Sequence, residues 1–258
     1  MSSITNKNKR ALIITMIALS LIVLIIPYFY YNKVNSSKDP RIKHARELYE
    51  NYNELTVQNN FAAIFSLLDS VENSYEKIKH YQNSFEVGVL YNNRAAAYLT
   101  MALYENKPEE FMLLSKDSLL QLAQLNVLKS ISIYESWLNT YHDLTLKDIK
   151  ELISEDFYIG LDKYSIKEKD DFLRSRIKEI ETAQFETERR LSVAYTNLGI
   201  IYRHFDDYEN TINSYQKAID LWDQNITAEN NLNILLGRPL KKRNLIQKLF
   251  PPKRKEDK

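Results

Sequence analysis

Residues 194–222, "AYTNLGIIYRHFDDYENTINSYQKAIDLW", contain the pattern that most constrains the fold. Two runs with apolar residues at three- and four-residue spacing flank the acidic pair Asp206-Asp207. That spacing places apolar side chains on one face of a helix, and aspartate is a preferred N-cap residue. Gly199 lies inside the first run, where glycine costs about 1 kcal/mol relative to alanine. Because the chain has four glycines in all, we interpret Gly199 as a point where two helices cross closely.

Helices are favoured along the rest of the chain as well. Glycine and proline together account for ten of 258 residues, and no useful β-alternation occurs. Thr145-x-x-Asp148 and Ser165-x-x-Glu168 match the capping box, and Gly237-Arg-Pro239 is typical of a helix end. The sequence therefore predicts an all-α fold. The predicted helices lie near 40–56, 60–79, 84–105, 110–140, 146–155, 166–205, 207–222 and 227–236.

The segment from Ser192 to Asn225 is 34 residues long and resembles a tetratricopeptide repeat. The pattern of that family is W-x2-L-G-x2-Y, then A-x3-F-x2-A, then a proline. The matching positions here, with Tyr195 in place of the tryptophan, are Tyr195, Leu198, Gly199, Tyr202, Thr211, Tyr215 and Ala218. The resemblance implies an α-solenoid-like stack of antiparallel helical hairpins, with small residues where helices meet. The alternative is an ordinary helical hairpin.

One repeat cannot bury its apolar face alone, so the resemblance requires neighbouring repeats. "YNNRAAAYL" from Tyr91 aligns with "YTNLGIIYR" from Tyr195, which gives a second copy over 88–134 with an insertion around "NKPEEFMLLSKD". Arg94 stands where the family has leucine. A third, fainter unit covers 41–79. We expect a domain over 40–237, closed by a capping helix at 227–236.

Residues 145–190 fit no repeat. Apolar residues recur at Phe172, Leu173, Ile177, Ile180 and Phe185. This segment is therefore expected to pack against, or continue into, the helix that contains Gly199. One helix over 166–205 would be unusually long; the alternative is a break near 184–189.

The N-terminal end predicts a membrane anchor. Residues 11–31, "ALIITMIALSLIVLIIPYFYY", have no charge over 21 positions, enough for a helix to cross a hydrocarbon core. A basic leader, 1–10, precedes the run and a linker, 32–39, follows it. The rival interpretation is a cleaved signal peptide, against which the long run and the missing small-residue site argue. Basic residues in the leader favour a single-pass protein with an extracytoplasmic helical domain.

Charge is divided unevenly along the chain. The leader and anchor carry +3 and the tail, 238–258, carries +7, so the total of +1 leaves −9 for residues 32–237. The tail mixes its basic residues with apolar ones, which suits contact with anionic lipid or a disordered solubilising tail. Nucleic acid is a poor partner, because the acidic domain would repel phosphates.

The sequence offers little evidence for catalysis. It has no cysteine, and its four histidines, His44, His80, His142 and His204, are dispersed without metal-ligand spacing. Its glycines are isolated, which excludes the phosphate-binding and dinucleotide-binding loops. We therefore expect no catalytic, cofactor-binding or metal site. The alternative is an enzyme, or an accessory of one, with a site formed by the 144–190 insertion.

Tetratricopeptide arrays bind peptides in the groove lined by their first helices, so the resemblance implies which positions would contact a protein or peptide partner. They are Val193, Thr196, Asn197, Ile200, Arg203 and His204, with Val89, Asn92, Asn93, Ala96, Leu99 and Thr100 in the earlier copy. The competing interpretation of the asparagines is that they bridge helices within the fold.

Overall fold

The computed structural model describes residues 37–104 and 107–242, and this part of the chain is helical without a β-strand. The all-α prediction is confirmed. The predicted leader, the predicted membrane helix 11–31 and the tail beyond residue 242 lie outside the described residues. Among the helices that are described, none combines the length and the apolar character needed to cross a membrane.

The α-helices follow the predicted order, except that the predicted helix 40–56 is divided at Asn51 into two α-helices. Short 3₁₀ helices lie at Pro40–Ile42, Lys79–Tyr81 and Glu109–Phe111. The bounds are α1 Lys43–Glu50, α2 Tyr52–Val57, α3 Phe61–Glu76, α4 Phe85–Tyr104, α5 Lys116–Tyr141, α6 Leu146–Phe157, α7 Ile166–His204, α8 Tyr208–Leu221 and α9 Ile226–Leu235. Helix α7 runs for 39 residues without the break near 184–189. Helix α5 begins at residue 116 rather than 110, because the Ser115 side chain caps it there.

Helix ends are set by local side chains. Thr145 and Ser165 form complete capping boxes with Asp148 and Glu168, as the sequence predicts. Gly237 has φ +65°, and the next amide donates to Asn233 O at 2.8 Å, which is a glycine-terminated helix end.

In the acidic pair between α7 and α8, one residue ends the first helix and the other caps the second. Asp206 adopts φ +57°, and the Asp207 amide reaches back to Tyr202 O at 3.0 Å, which ends α7. The Asp207 side chain accepts from the Asn210 amide and so starts α8. This tight turn folds α8 back against α7.

Two antiparallel hairpins, α4–α5 and α7–α8, form the centre of the molecule. The C-terminal half of α7 packs against α5 and also touches α4, so the two hairpins stack side by side. Helices α1 and α3 extend the stack on the α4 side, and α9 covers its other end against α8 and α7. One apolar core runs through these helices.

The two hairpins share one packing device. A Cβ built on Gly199 would lie 2.5 Å from the Tyr215 ring, and one built on Gly88 would lie 2.5 Å from the Tyr134 ring. Both rings are almost completely buried, so neither can move aside cheaply. Each glycine therefore lets a tyrosine ring of the second helix lie directly against the backbone of the first.

Arg94, the departure from the repeat pattern in the earlier copy, is buried with its charge satisfied. Its guanidinium lies 2.6 Å from Asp69 and 2.5 Å from Glu72, both on α3, and stacks over the Tyr91 ring at 5.2 Å. An arginine can thus replace the expected leucine because the preceding helix supplies two carboxylates.

The segment 144–190, called the insertion from here on, has an apolar cluster of its own. Helix α6 and the N-terminal half of α7 pack together and enclose Phe85 and Trp137 from the α4–α5 hairpin. The other buried members of this cluster are Ile149, Ile153, Phe157, Leu161, Phe172, Leu173, Ile177, Ile180 and Ala183. The insertion is therefore a packed extension of the hairpin stack.

Candidate partner-binding groove

One face of α7 combines the positions predicted from the repeat pattern with a groove formed by the insertion. Residues 179, 182, 186, 190, 193, 197, 200 and 204 recur at three- and four-residue intervals, so they lie along one stripe of the helix. The N-terminal part of this stripe borders a groove of about 920 Å³ that includes Phe85 and the Ser37–Lys38 segment. We call this space the α7 groove.

The α7 groove has an apolar floor and a charged rim. Phe85, Phe172 and Ala183 line it and are themselves mostly buried in the insertion cluster. Charged side chains of both signs surround them. They are Lys38, Glu168, Asp171, Arg174, Lys178, Glu179, Glu186 and Arg190. An apolar floor with polar groups at its edge is the common composition of a protein's ligand sites.

Arg190 occupies the end of the groove nearest the predicted contact positions. Its guanidinium stacks over the Phe85 ring at 5.4 Å, an attractive cation–π geometry. Its Nη1 atom is buried, and no hydrogen-bond acceptor lies within reach among the described residues. A buried charged donor without an acceptor is costly. The Arg190 side chain as a whole is half-buried and borders the groove, so a rotation of its guanidinium would bring this donor to an acceptor that enters there.

The predicted asparagines link the first helices to one another. Asn197 on α7 donates to Asn92 Oδ1 on α4 at 3.1 Å, and Asn93 on α4 donates to the Tyr49 hydroxyl on α1 at 2.6 Å. Burial raises the pKa of Tyr49 to about 12, so its hydroxyl stays protonated. These amides bridge α1, α4 and α7, in line with the competing interpretation of the asparagines.

The remaining predicted contact positions differ in their exposure. Val193 is 38% exposed and His204 is exposed, whereas Ile200 and Arg203 on α7 are half-buried. In the earlier copy, Val89, Asn92, Asn93, Ala96 and Thr100 are half-buried. These side chains can still be reached from solvent.

Two predicted contact positions are instead buried. Leu99 belongs to the main core. The Thr196 hydroxyl donates to Ser192 O and accepts from Asn225 Nδ2 at 2.8 Å, where Asn225 also caps α9. Thr196 therefore lies beneath α9 rather than on an open surface, because α9 covers that side of α7.

The repeat-signature residues lie on other faces of the same hairpin. Tyr215 and Ala218 are fully buried under α7, where the Tyr215 ring lies against Gly199 and the Ala218 carbonyl accepts from the Ser192 hydroxyl. Tyr195, Leu198 and Tyr202 border a separate cleft of about 510 Å³ between α5 and α8. The Tyr195 hydroxyl donates to Glu135 at 2.6 Å, which ties α7 to α5.

A buried ionic cluster, which sequence reasoning missed, joins the insertion to the hairpins. Arg176, 2% exposed, donates to Glu86 at 2.5 Å, to Glu179 at 3.3 Å and to His80 Nε2 at 3.0 Å. Glu179 also pairs with Arg46 on α1 at 2.7 Å. We call these residues the Arg176 cluster.

The charged side chains of the Arg176 cluster pair with one another. Burial and the nearby Arg176 lower the pKa of His80 to about 3, and its Nε2 is occupied as an acceptor. Burial acts to raise the pKa of the Glu86 carboxyl, but the charge of Arg176 and the hydrogen bonds that the carboxyl accepts together lower that pKa. His80 and Glu86 are both engaged by Arg176. This arrangement suits a structural role, in which the cluster holds the helices together, better than acid–base catalysis.

One sequence signal could have revealed the cluster. Arg176 lies four residues after Phe172 and four before Ile180, on the apolar face of its helix. An arginine at such a position must find carboxylates when it is buried. Within residues 37–104 and 107–242, no group of three or more acidic, histidine or cysteine side chains is arranged to hold a metal ion.

The chain was compared with protein families, curated proteins and solved structures. No protein-family model matches it, no curated protein is significantly similar to it, and no solved structure matches its fold at a significant level.

Proposed function

We propose that this chain is a membrane-anchored, tetratricopeptide-like scaffold that binds a protein or peptide partner along its first helices. The observation that supports this function best is the doubled hairpin. In both hairpins a glycine of the first helix meets a buried tyrosine of the second, and the two first helices, α4 and α7, lie side by side. Stacked hairpins of this kind present an extended surface for a partner.

The open side of α7 suits an extended chain. Val193, Ile200 and His204 follow the α7 groove along one stripe, and Arg203 lies at the edge of that stripe. Together they offer apolar, polar and charged contacts. A peptide that lies along this stripe would meet successive side chains of one helix, with the half-buried residues of α4 beside it. Helix α1 lies against part of this face, at Asn93 and Glu179. The surface left to a partner is therefore the C-terminal part of the stripe, where Val193 and His204 are exposed and Ile200 is half-buried.

The membrane part of the proposal depends on the uncharged run at 11–31. Full-length protein should remain with membranes after alkaline carbonate washing, and release of the uncleaved chain would count against an anchor. A C-terminal alkaline phosphatase fusion should be active if the helical domain is exported. An inactive fusion beside an active cytoplasmic reporter would reverse the orientation.

Site-specific photo-crosslinking tests the binding surface. A benzophenone amino acid at Val193 should crosslink a discrete partner in the cells that make the protein. The matched control is Ile212 on α8, which is also β-branched, helical and similarly exposed, at 37% against 38% for Val193. A crosslink from Val193 alone supports the groove. Equal crosslinking from both positions, or from Ile212 alone, places the partner elsewhere.

A further inference from the structure

Three cations of the α7 groove have no ion-pair partner among the described residues. Lys38 and Lys178 are exposed at its rim, and Arg190 stacks on Phe85 with its buried Nη1 free of any acceptor. They belong to two different segments of the chain, the residues just before α1 and the helix α7. Their convergence on one groove is therefore produced by the fold.

The carboxylates that line the same groove are largely neutralised. Asp171 pairs with Arg174 at 2.9 Å, Glu186 with Arg189 at 2.8 Å, and Glu179 with Arg46 and Arg176. Glu168 is the lining carboxylate without a cation in the described part of the chain, and it accepts two hydrogen bonds from Ser165. The lining itself has four cations and four carboxylates. When the ion-pair partners Arg46, Arg176, Arg189 and Glu86 are counted as well, seven cations face five carboxylates, which leaves two positive charges.

We propose that the α7 groove receives an extended, acidic segment of the partner protein, with a carboxylate on Arg190 and apolar side chains over Phe85 and Ala183. This proposal rests on the proposed function and names the chemistry of the partner. The half-buried Arg190 side chain borders the groove, and a rotation of its guanidinium would give the buried Nη1 the acceptor that it lacks. Arginine binds carboxylates with two parallel hydrogen bonds. The exposed Lys38 and Lys178 would attract further acidic side chains along the rim.

The charge of the whole domain does not oppose this local attraction. Residues 32–237 carry −9 in total, but charges separated by more than about 8 Å are largely screened at physiological ionic strength. A side chain inside the groove therefore responds mainly to the groove's own cations. Salt should weaken the binding, because the two lysines are solvent-exposed.

A peptide array gives a direct test. Full-length protein in detergent is incubated with an array of random twelve-residue, C-terminally amidated peptides, and the bound sequences are read. Wild-type protein should select peptides rich in Asp and Glu with interspersed apolar residues. Lys178→Glu, an exposed change that spares the fold, should weaken those peptides about tenfold in low salt. Arg190→Gln should weaken them further, and its circular dichroism melt verifies folding.

The matched control removes the same charge elsewhere. Lys129→Gln combined with Arg238→Gln changes one exposed lysine and one exposed arginine outside the groove and should leave peptide binding unchanged. Selection of neutral or basic peptides, or equal binding by Lys178→Glu, overturns the proposal.

Crosslinking at Val193 separates this proposal from the function on which it rests. If Val193 crosslinks a partner while the array selects no acidic peptide, the scaffold stands and the acidic segment does not. If neither experiment detects binding, both proposals fall. Loss of the Val193 crosslink in Lys178→Glu, with its retention in the Lys129→Gln, Arg238→Gln protein, supports both.

Discussion

The hairpin stack and the insertion are held by different physical means. In the hairpins, Gly88 and Gly199 allow buried tyrosines to lie against helix backbone, so shape decides the contact. The insertion has an apolar cluster too, but its link to α1 and α4 passes through the buried charges of Arg176, Glu86 and Glu179. The small residues at a close helix crossing can be recognised in a short stretch of sequence. The charged residues that pair in the insertion are far apart along the chain and form no short motif.

The largest effect should come from breaking the Arg176 cluster. Arg176→Met leaves Glu86 and Glu179 with less compensation in a buried place, which should cost about 3–5 kcal/mol of unfolding free energy. Urea unfolding followed by circular dichroism measures it. The control is Arg174→Met on the same helix, where an exposed pair with Asp171 should cost at most about 1 kcal/mol. Similar losses for the two variants would remove the contrast between the regions.

The hairpin crossings should respond to a single methyl group. Gly199→Ala and Gly88→Ala should each destabilise by about 1–3 kcal/mol, because the new Cβ overlaps a buried tyrosine ring. Helix propensity alone predicts the opposite sign, a gain of about 1 kcal/mol. Thermal melting therefore distinguishes the two by direction.

Two further variants sharpen that test. Tyr215→Leu should reduce the cost of Gly199→Ala in a double-mutant cycle, because it removes the overlapping ring. Asn213→Ala, on the exposed face of α8, should change stability little. A rise in melting temperature for Gly199→Ala would show that the helices do not meet closely there.

The pH dependence of stability should report on His80. Its pKa falls from 6.5 to about 3 on folding, so between these values the unfolded chain binds a proton that the folded chain does not. Stability therefore decreases as pH is lowered through this window, by at most about 1.4 kcal/mol per pH unit. His80→Gln should flatten the stability curve between pH 6.5 and pH 5, above the range where Glu86 titrates.

His142→Gln is the control for this slope. His142 is 49% exposed and lies beside Asp143 and Glu188 at the surface, so its removal should leave the slope nearly intact. The same flattening in both variants would mean that burial of His80 is not its source.

The smallest effect is expected at the bridge between the first helices. Asn197→Ala should cost about 0.5–1.5 kcal/mol, the usual value of one hydrogen bond. Asn92→Ala should cost a similar amount, and the double variant less than the sum, because the two residues share one bond. Additive losses would show that the two amides act separately.

Local features of the fold could be predicted from the sequence. Helix bounds follow from apolar spacing and from caps such as Thr145, Ser165 and Gly237, and each of these depends on neighbours within a few residues. The Tyr134–Gly88 contact was missed. The alignment of the two copies makes Ala95 the equivalent of Gly199, whereas the close crossing in the earlier hairpin lies at Gly88, two helical turns before Ala95.

Contacts between distant segments explain most of what the sequence did not predict. Periodicity gives the face of α7 on which Thr196 lies, but not that α9 covers it. The carboxylates around Arg176 come from α4, 90 residues away, and from its own helix, so no short motif records the cluster. The α7 groove likewise requires Lys38 and Phe85 to meet α7.

The unbroken length of α7 fixes the size of segment that could contact both the groove and the positions beyond it. Lys178 and Arg203 are 25 residues apart on one helix, which corresponds to about 38 Å along its axis. An extended chain advances about 3.4 Å per residue, so a partner must offer roughly eleven consecutive residues to reach from one to the other. A shorter motif would engage only one end of this rigid helix, and α7 would in that way discriminate between partners by length.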